Sequence, residues 1–358
     1  MAGSVSRLKS GRWRARYRDS TGREHARHFP RKTDAQRWVA AHTASVDRGD
    51  WIDPALSRTT IEEWSAVWLQ TKSHLRPKTR DKYESGLRIW ILPRWGKAQL
   101  GSITHAQVVA WVADIQRTRS AGLTRHTLAI LSQILELAVR DGRIPRNVAR
   151  GVRKPRPSRP VQRFLSPDEV ARLARETPPP YDVLVILLSF TGLRFGEAAG
   201  LTVGDVDLDR SRLSINWSVT ESASGQLHRD SPKTYRRRSV PIPAFLRNRL
   251  ATHIAGRNPD EPLFPSPKGG LLRNSNSRHT TFDPAVRRAG LAPLTPHNLR
   301  DTAASLAVGS GANVKSVQRM HGHASAAMTL DVYSGLFDAE LDDVATRMDD
   351  SAGDLFRH

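Results

Sequence analysis

A multidomain chain is predicted: a small α/β unit, an all-α unit, and a mixed α+β unit that is mostly helical and carries a small antiparallel sheet. Three observations predict it. The 358 residues exceed what one hydrophobic core usually organises. The stretch "RGVRKPRPSRPVQR" (150–163) has three prolines and no apolar face, so it interrupts regular structure near mid-chain. The apolar period also changes, from alternation in the first thirty or so residues to helical spacing over 58–150, and then to a mixture. The units are therefore 1–57, 58–152 and 164–358, with a basic linker at 153–163.

In the first unit, "GRWRARYRDSTGREHARHF" alternates arginine with Trp13, Ala15 and Tyr17 and breaks at Asp19-Ser20-Thr21-Gly22. That pattern predicts a hairpin with polar turn chemistry. "KTDAQRWVAAHTASVDRG" follows with Ala35, Trp38 and Val39 on one helical side and Thr33 as the expected N-cap. In the second unit, Thr60 and Glu63 have the spacing of a capping box, and Ile61, Trp64 and Trp68 form one stripe. Leu128, Leu131, Leu135 and Val139 form another, and both stripes are read as core. The third unit restarts at "LSPDEVARLA", with Ser166 as N-cap, Pro167 in the first turn and Glu169 closing a box. "VLVILLSF" (183–190) is an apolar helix that breaks at "TGLR". "RLSINWSV" alternates Leu213, Ile215, Trp217 and Val219 as a half-buried strand, and Val240 and Ile242 mark a second strand in "RDSPKTYRRRSVPIP". The chain after about 280 reads as helical.

Composition narrows the function. Lys and Arg number 56 against 35 Asp and Glu, a formal charge of +21, which repels itself in a compact state unless a polyanion neutralises it. Nucleic acid is the leading partner. No apolar run approaches a bilayer span, and the basic opening residues lack the apolar stretch of a secretory signal. There is no cysteine, which excludes disulfides and thiolate metal sites and fits a reducing cytoplasm. Arg12, Arg14, Arg16 and Arg27, with Arg18 and Arg23, can lay a basic ribbon in a DNA groove; a solvated basic face is the open alternative. Lys78, Arg80 and Lys82 in the helical unit can meet phosphates or be ordinary surface. Arg153, Lys154 and Arg156 sit in the linker, where two units joined by a basic tether can dock on opposite sides of a duplex.

Phosphodiester chemistry asks for fixed cations around the phosphate, because guanidinium matches its geometry and stays charged. Arg194 in "TGLRFGE" and Arg300 in "HNLRDTAAS" are the arginines held in apolar sequence, and His297 lies on the Arg300 face of one helix. His321 and His323 in "HGHASAAMTLDVYS" make a poor metal pair, since residues two apart do not share a helix face.

"TGLRFGEAAGL", "SPKTYRRRSVPI", "HNLRDTAASL" and "HGHASAAMTLDVYS" occur in the order and approximate spacing of tyrosine recombinases of the phage-integrase family, which the whole chain resembles. The first unit is similar to that family's arm-type DNA-binding domain, the second to its core-binding domain, and the third to its catalytic domain. The resemblance implies roles for Arg194, Lys233, His297, Arg300, His323 and Tyr333. The two arginines hold the scissile phosphate, Lys233 protonates the departing 5′-hydroxyl, the histidines manage protons, and Tyr333 attacks to give a 3′-phosphotyrosyl link. Glu197 orients its neighbours. Making phenolate at pH 7 costs about 4 kcal/mol, which the surrounding cations are expected to offset. Because the covalent ester conserves the cleaved bond, neither ATP nor any metal or other cofactor is expected.

Implied partners are double-stranded DNA with core-type and arm-type sites, a homotetramer on DNA, a DNA-bending host factor and a directionality factor, all in a bacterial cytoplasm at the nucleoid. A non-catalytic DNA-binding regulator and a type IB topoisomerase are the rival readings. Two positions depart from the family pattern: His321 stands where leucine is usual, and Asp301 where histidine is common. The acidic tail from 337, with an apolar stripe of Leu341, Val344 and Met348, can be a solvated end, but the resemblance implies a segment that docks on a neighbouring subunit, which is the favoured expectation.

Overall fold

The computed structural model describes residues 3–19, 21–49, 51–156, 163–222, 224–231 and 238–338, together with 346, 348, 349 and 352. It divides into one unit over Met1–Arg159 and a second over Pro160–His358.

In the first unit, β1 (Ser4–Arg7), β2 (Trp13–Arg18) and β3 (Glu24–Phe29) form an antiparallel sheet that packs on α1 (Lys32–Asp47). Ala15, Ala35 and Val39 make the small core, with Trp13, Phe29 and Trp38 against it. The Asp19–Gly22 turn forms as the sequence predicts: the Asp19 carboxylate accepts from the backbone N–H of Thr21 at 2.9 Å and of Arg23 at 3.1 Å. The α1 cap differs. Helical dihedrals begin earlier, Arg31 takes the N-cap position without a side-chain cap, and Thr33 lies inside the helix.

The register sorts the arginines by face. Directly opposed residues of an antiparallel pair share a face, and Arg14, Arg16 and Arg18 pair with His28, Ala26 and Glu24 on the side away from α1. Glu24 lies 3.4 Å from Arg14, and 3.9 Å from Arg16 and from Arg18. Arg27 pairs with Ala15 and so belongs to the other face, where its guanidinium lies over Phe29. One continuous ribbon holding both Arg14 and Arg27 is therefore corrected to a three-arginine row plus a separate cation. Arg12 is exposed in the turn before β2.

A short helix α2 (Pro54–Ser57) leads into the helical part: α3 (Ile61–Gln70), α4 (Pro77–Gly86), a π turn over Leu87–Ile91, α5 (Leu92–Trp95), α6 (His105–Thr118) and α7 (Ala121–Arg140). The Thr60–Glu63 capping box is present in both directions. Ile61, Trp64 and Trp68 bury against the Leu128, Leu131 and Leu135 face of α7, while Val139 is only partly buried. The buried Trp64 indole needs an acceptor and donates to the Ile134 carbonyl at 3.2 Å. Lys78, Arg80 and Lys82 are exposed on α4, and Arg80 pairs with Glu84 at 2.9 Å. Arg153, Lys154 and Arg156 are exposed, yet Val152 before them and Pro155 among them are buried, and Arg125 donates to the Pro155 carbonyl at 3.3 Å. The basic stretch thus starts as packed chain.

The second unit opens with α8 (Pro167–Arg175), whose Ser166–Glu169 box is complete. Its centre is α9 (Tyr181–Thr191), apolar all round and hence buried, with α8 and a later helix against it. After α10 (Phe195–Ala198) come β4 (Val206–Asp207), β5 (Arg212–Ile215), β6 (Ser218–Glu221), β7 (Leu227–Asp230) and β8 (Arg238–Pro241). They form two small antiparallel sheets, β4-β5-β8 and β6-β7. The single strand expected over "RLSINWSV" is therefore two strands in different sheets, and Trp217 between them is exposed while Leu213, Ile215 and Val219 are buried. Helices α11 (Ala244–Ile254), α12 (Asn274–Ser277), α13 (Asp283–Arg288), α14 (Pro296–Gly309), α15 (Val314–His321) and α16 (Ala326–Asp338) complete the described fold. Of the acidic tail, Leu341 and Val344 lie outside the described residues. No helix among the described residues is long and apolar enough to cross a membrane.

Candidate active site

The site is assembled where α9, α14, α15 and α16 end or cross. Helix α9 stops at Gly192 with φ +65°, a left-handed turn that glycine adopts without strain. A Cβ there would lie 2.6 Å from the His321 ring, so closeness as well as dihedral demands glycine. The turn places Arg194 at the N-terminus of α10, where its backbone N–H and Nη1 each donate to Glu197 at 2.9 Å.

Glu197 is 1% exposed and is held from two sides. Arg238 donates to it through Nη2 at 2.7 Å and Nη1 at 3.1 Å, and through Nε to the Met320 carbonyl at 3.2 Å. Register explains Arg238: it opposes buried Ile215, so β8 turns it inward. Burial would raise the Glu197 pKa, but the Arg238 hydrogen bonds and charge, with the charge of Arg194, outweigh it and hold the carboxyl at about 2.

On α14, Thr295 and Asn298 cap the first turn and Pro296 starts it. Arg300 is buried and donates to two helix-end carbonyls, Gly192 and, at 2.7 Å, His321. Burial, aided by Arg194, lowers its pKa to about 10, with Glu197 and Tyr333 acting in opposition, so it stays charged at neutral pH. Arg194, His297 and Arg300 line one open cleft of about 390 Å³, with Arg278, Asn274 and Thr295. Three guanidiniums, of Arg194, Arg278 and Arg300, and an imidazole facing one cleft form a cradle for a tetrahedral oxyanion.

The two histidines of "HGH" part company at Gly322, whose φ of +63° ends α15. His321, the last helical residue, is fully buried beneath Arg300. Its Nε2 donates to the Arg300 carbonyl at 3.0 Å, while its Nδ1 is buried without a partner. Burial, with the charge of Arg300, drives its pKa well below the ordinary 6.5. With one nitrogen committed to a carbonyl, His321 is a packed residue and not a chelating one. His323 lies beyond the turn, with Nδ1 2.9 Å from the Thr329 hydroxyl. Burial and then Arg300, Arg194 and Arg238 lower its pKa to about 4, so it is neutral at pH 7.

Tyr333 on α16 is 2% exposed, with its ring parallel to His323 at 6.3 Å between centroids and edge-on to His321 at 5.7 Å. Its hydroxyl donates to Asp301 at 2.7 Å. Burial, then the charge and hydrogen bond of Asp301, raise the phenol pKa, and Arg300 and Arg194 lower it by less. This corrects the expectation that surrounding cations dominate the phenol: its hydrogen-bond partner is a carboxylate. Five of the six expected site residues, Arg194, His297, Arg300, His323 and Tyr333, are thus brought to one region. The sixth, Lys233, lies outside the described residues. Sequence reasoning missed Arg238, one of three consecutive arginines, and the Asp301 contact.

Three family descriptions match in chain order: "Phage integrase, N-terminal domain" over 1–48, "Phage integrase, N-terminal SAM-like domain" over 60–115, and "Phage integrase family" over 163–340. The integrase of Mycobacterium phage D29 is 27% identical over 98% of this chain and 97% of its own length. A tyrosine recombinase XerC of Xylella fastidiosa is 28% identical over 74% of this chain and 88% of its own. Among solved structures, the Tn1549 transposon integrase in complex with transposon right end DNA superposes with a TM-score of 0.68 at 19% identity, over 80% of this chain and 100% of that one. A lambda integrase dimer bound to a COC′ core site gives 0.62 at 20% identity, over 92% and 93%.

Proposed function

The chain belongs to the phage integrase family, and from that premise we propose that it is a site-specific DNA recombinase that cuts and rejoins strands through a 3′-phosphotyrosyl intermediate, integrating and excising DNA at attachment sites. The observation that carries the reading is one cleft shared by Arg194, His297 and Arg300, with Tyr333 packed behind Arg300 and coupled to its charge.

In this mechanism Arg194 and Arg300 hold the non-bridging oxygens and stabilise the charge that builds in the pentavalent transition state. Their frames are rigid, since Glu197 fixes Arg194 and two backbone carbonyls fix Arg300. That prior ordering avoids reorganisation at the moment of reaction. His297 and His323, neutral in the second case, hydrogen-bond the phosphate and pass protons. Lys233 protonates the departing 5′-oxygen.

The wider assembly follows the relatives. A lambda integrase tetramer is known bound to a Holliday junction, and a tetramer exchanging strands on paired sites is the state proposed here. The exposed apolar side chains Met328, Leu330 and Val332 of α16 support subunit docking through this helix. The arginine row of β2 supports arm-site binding, with the Nε atoms of Arg14 and Arg16 buried and lacking a protein partner among the described residues. Two DNA contacts on one chain raise the effective concentration of the second. A DNA-bending host factor and a directionality factor complete the proposed reaction, at the nucleoid of a bacterial cytoplasm.

The test is a nicked suicide duplex carrying the attachment sequence from DNA flanking the gene. The wild-type chain should form a covalent adduct that survives denaturation, and Tyr333→Phe should bind the duplex without forming it. Binding without an adduct by the wild type would establish a regulator instead. Ready relaxation of unrelated supercoiled plasmid would mark a topoisomerase.

A further inference from the structure

We propose that Asp301 is a catalytic residue of strand cleavage: its carboxylate takes the hydroxyl proton of Tyr333 as that oxygen attacks phosphorus, and returns it when the strand is resealed. The inference rests on the reading of Tyr333 as nucleophile given above.

Adjacent residues on a helix point about 100° apart, and α14 uses that divergence to divide the work. Arg300 reaches the ends of α9 and α15 and lines the cleft, while Asp301 reaches α16. The Tyr333 Oη to Asp301 Oδ1 distance is 2.7 Å, and both side chains are buried. Such a bond is already at proton-transfer distance. Among the described residues no other group bonds the hydroxyl. The nearby imidazoles each commit one nitrogen elsewhere, His321 to the Arg300 carbonyl and His323 to Thr329, and neither bonds the hydroxyl.

The same environment closes the competing route. Burial and the neighbouring carboxylate make this phenol less acidic than a free one, so phenolate is not present in advance of attack. The proton has to leave as the oxygen becomes bonded to phosphorus and its acidity rises. Asp301 is the acceptor already in place.

The step balances. The Tyr333 Oη–P bond forms, the P–O5′ bond breaks, the phenolic proton passes to the Asp301 carboxylate, and O5′ takes a proton from the general acid, the role proposed for Lys233. In resealing, the 5′-hydroxyl attacks phosphorus and the departing phenolic oxygen recovers its proton from the Asp301 carboxyl. While the covalent link lasts, Asp301 is neutral and does not repel the phosphodiester anion beside it. The charged and titratable groups facing the pair are Arg300 on α14, Arg194 at the start of α10, His321 on α15 and His323 after it.

The experiment uses the full chain on the nicked suicide duplex and measures the single-turnover rate of adduct formation from pH 5 to 9. Asp301→Asn should slow the wild-type rate on the order of a hundredfold to a thousandfold while binding the same duplex unchanged. Formate should restore part of the rate to Asp301→Ala. An Asp301→Asn rate equal to or above wild type would overturn the proposal, and an increase would make the contact a restraint on the nucleophile. Should neither variant bind, fluorotyrosine at position 333 of the otherwise native chain reads the same step. With Asp301 as base, the acidic limb of the pH profile stays put when the phenol is made more acidic. A limb that moves with the phenol means prior ionisation and refutes the proposal. No adduct from the wild type itself would sink the nucleophile reading and this proposal with it, whereas a wild-type adduct formed equally fast by Asp301→Asn would sink this proposal alone.

Discussion

Replacing Glu197 by glutamine tests the electrostatic frame of the site directly. The carboxyl is 1% exposed and ionises at about 2, where an ordinary glutamate does so near 4.5. An anion favoured to that extent contributes about 3 kcal/mol to the folded state. Breaking a buried pair by removing one partner costs a similar amount, because the other charge is left without compensation. Here two guanidiniums, Arg194 and Arg238, lose it at once. For a domain of this size, about 3 kcal/mol corresponds to a melting shift of about 6–12 °C. Scanning calorimetry of the full-length chain should show that loss at pH 7 in the transition of the second unit. The pH dependence carries the sign. A depressed folded pKa contributes in full above 4.5 and fades as pH falls toward about 2. The gap between wild type and Glu197→Gln should therefore be constant from pH 7 to 5.5 and shrink to about half near pH 3. A variant that melts with the wild type at pH 7, or a gap indifferent to acid, refutes the reasoning.

Three further outcomes follow from the same geometry. His321→Leu removes a buried imidazole with an unpartnered nitrogen, and since the folded pKa lies well below 6.5, wild-type stability falls as pH drops below that value. The variant should gain on the wild type as pH falls from 7.5 to 5 in urea titrations, and parallel curves would contradict it. Gly192→Ala meets a positive φ and the His321 ring together, so it should lose adduct formation as Arg300 loses two carbonyl acceptors, which single-turnover cleavage would detect. Replacing Arg14 and Arg16 by alanine should lower the slope of log affinity against log salt by about 0.9 for each phosphate no longer neutralised, measured on arm-site DNA.

What could be read in advance was whatever is local. Capping boxes at Thr60 and Ser166 are decided within four residues, and α9 announces its burial by being apolar all round. Arg194, His297 and Arg300 were legible because short motifs carry them. Tertiary choices were not. Thr33 has the right chemistry for a cap, yet the helix starts before it. The face of Arg27 depends on pairing parity across a turn, and nothing in its neighbours fixes that parity. Arg238 looks like Arg236 and Arg237 until its pairing with Ile215 turns it inward. The Tyr333–Asp301 bond joins residues 32 apart on different helices, so no spacing rule reveals it.

Glu24 has a consequence for how the first unit would meet DNA. It sits among Arg14, Arg16 and Arg18, so the row advertises three cations but already holds an anion of its own. An incoming backbone must evict that carboxylate before it gains the full field of the row. In the proposed arm-site binding, loose, passing encounters would thereby be weakened more than a well-seated one, exchanging grip on arbitrary duplex for discrimination.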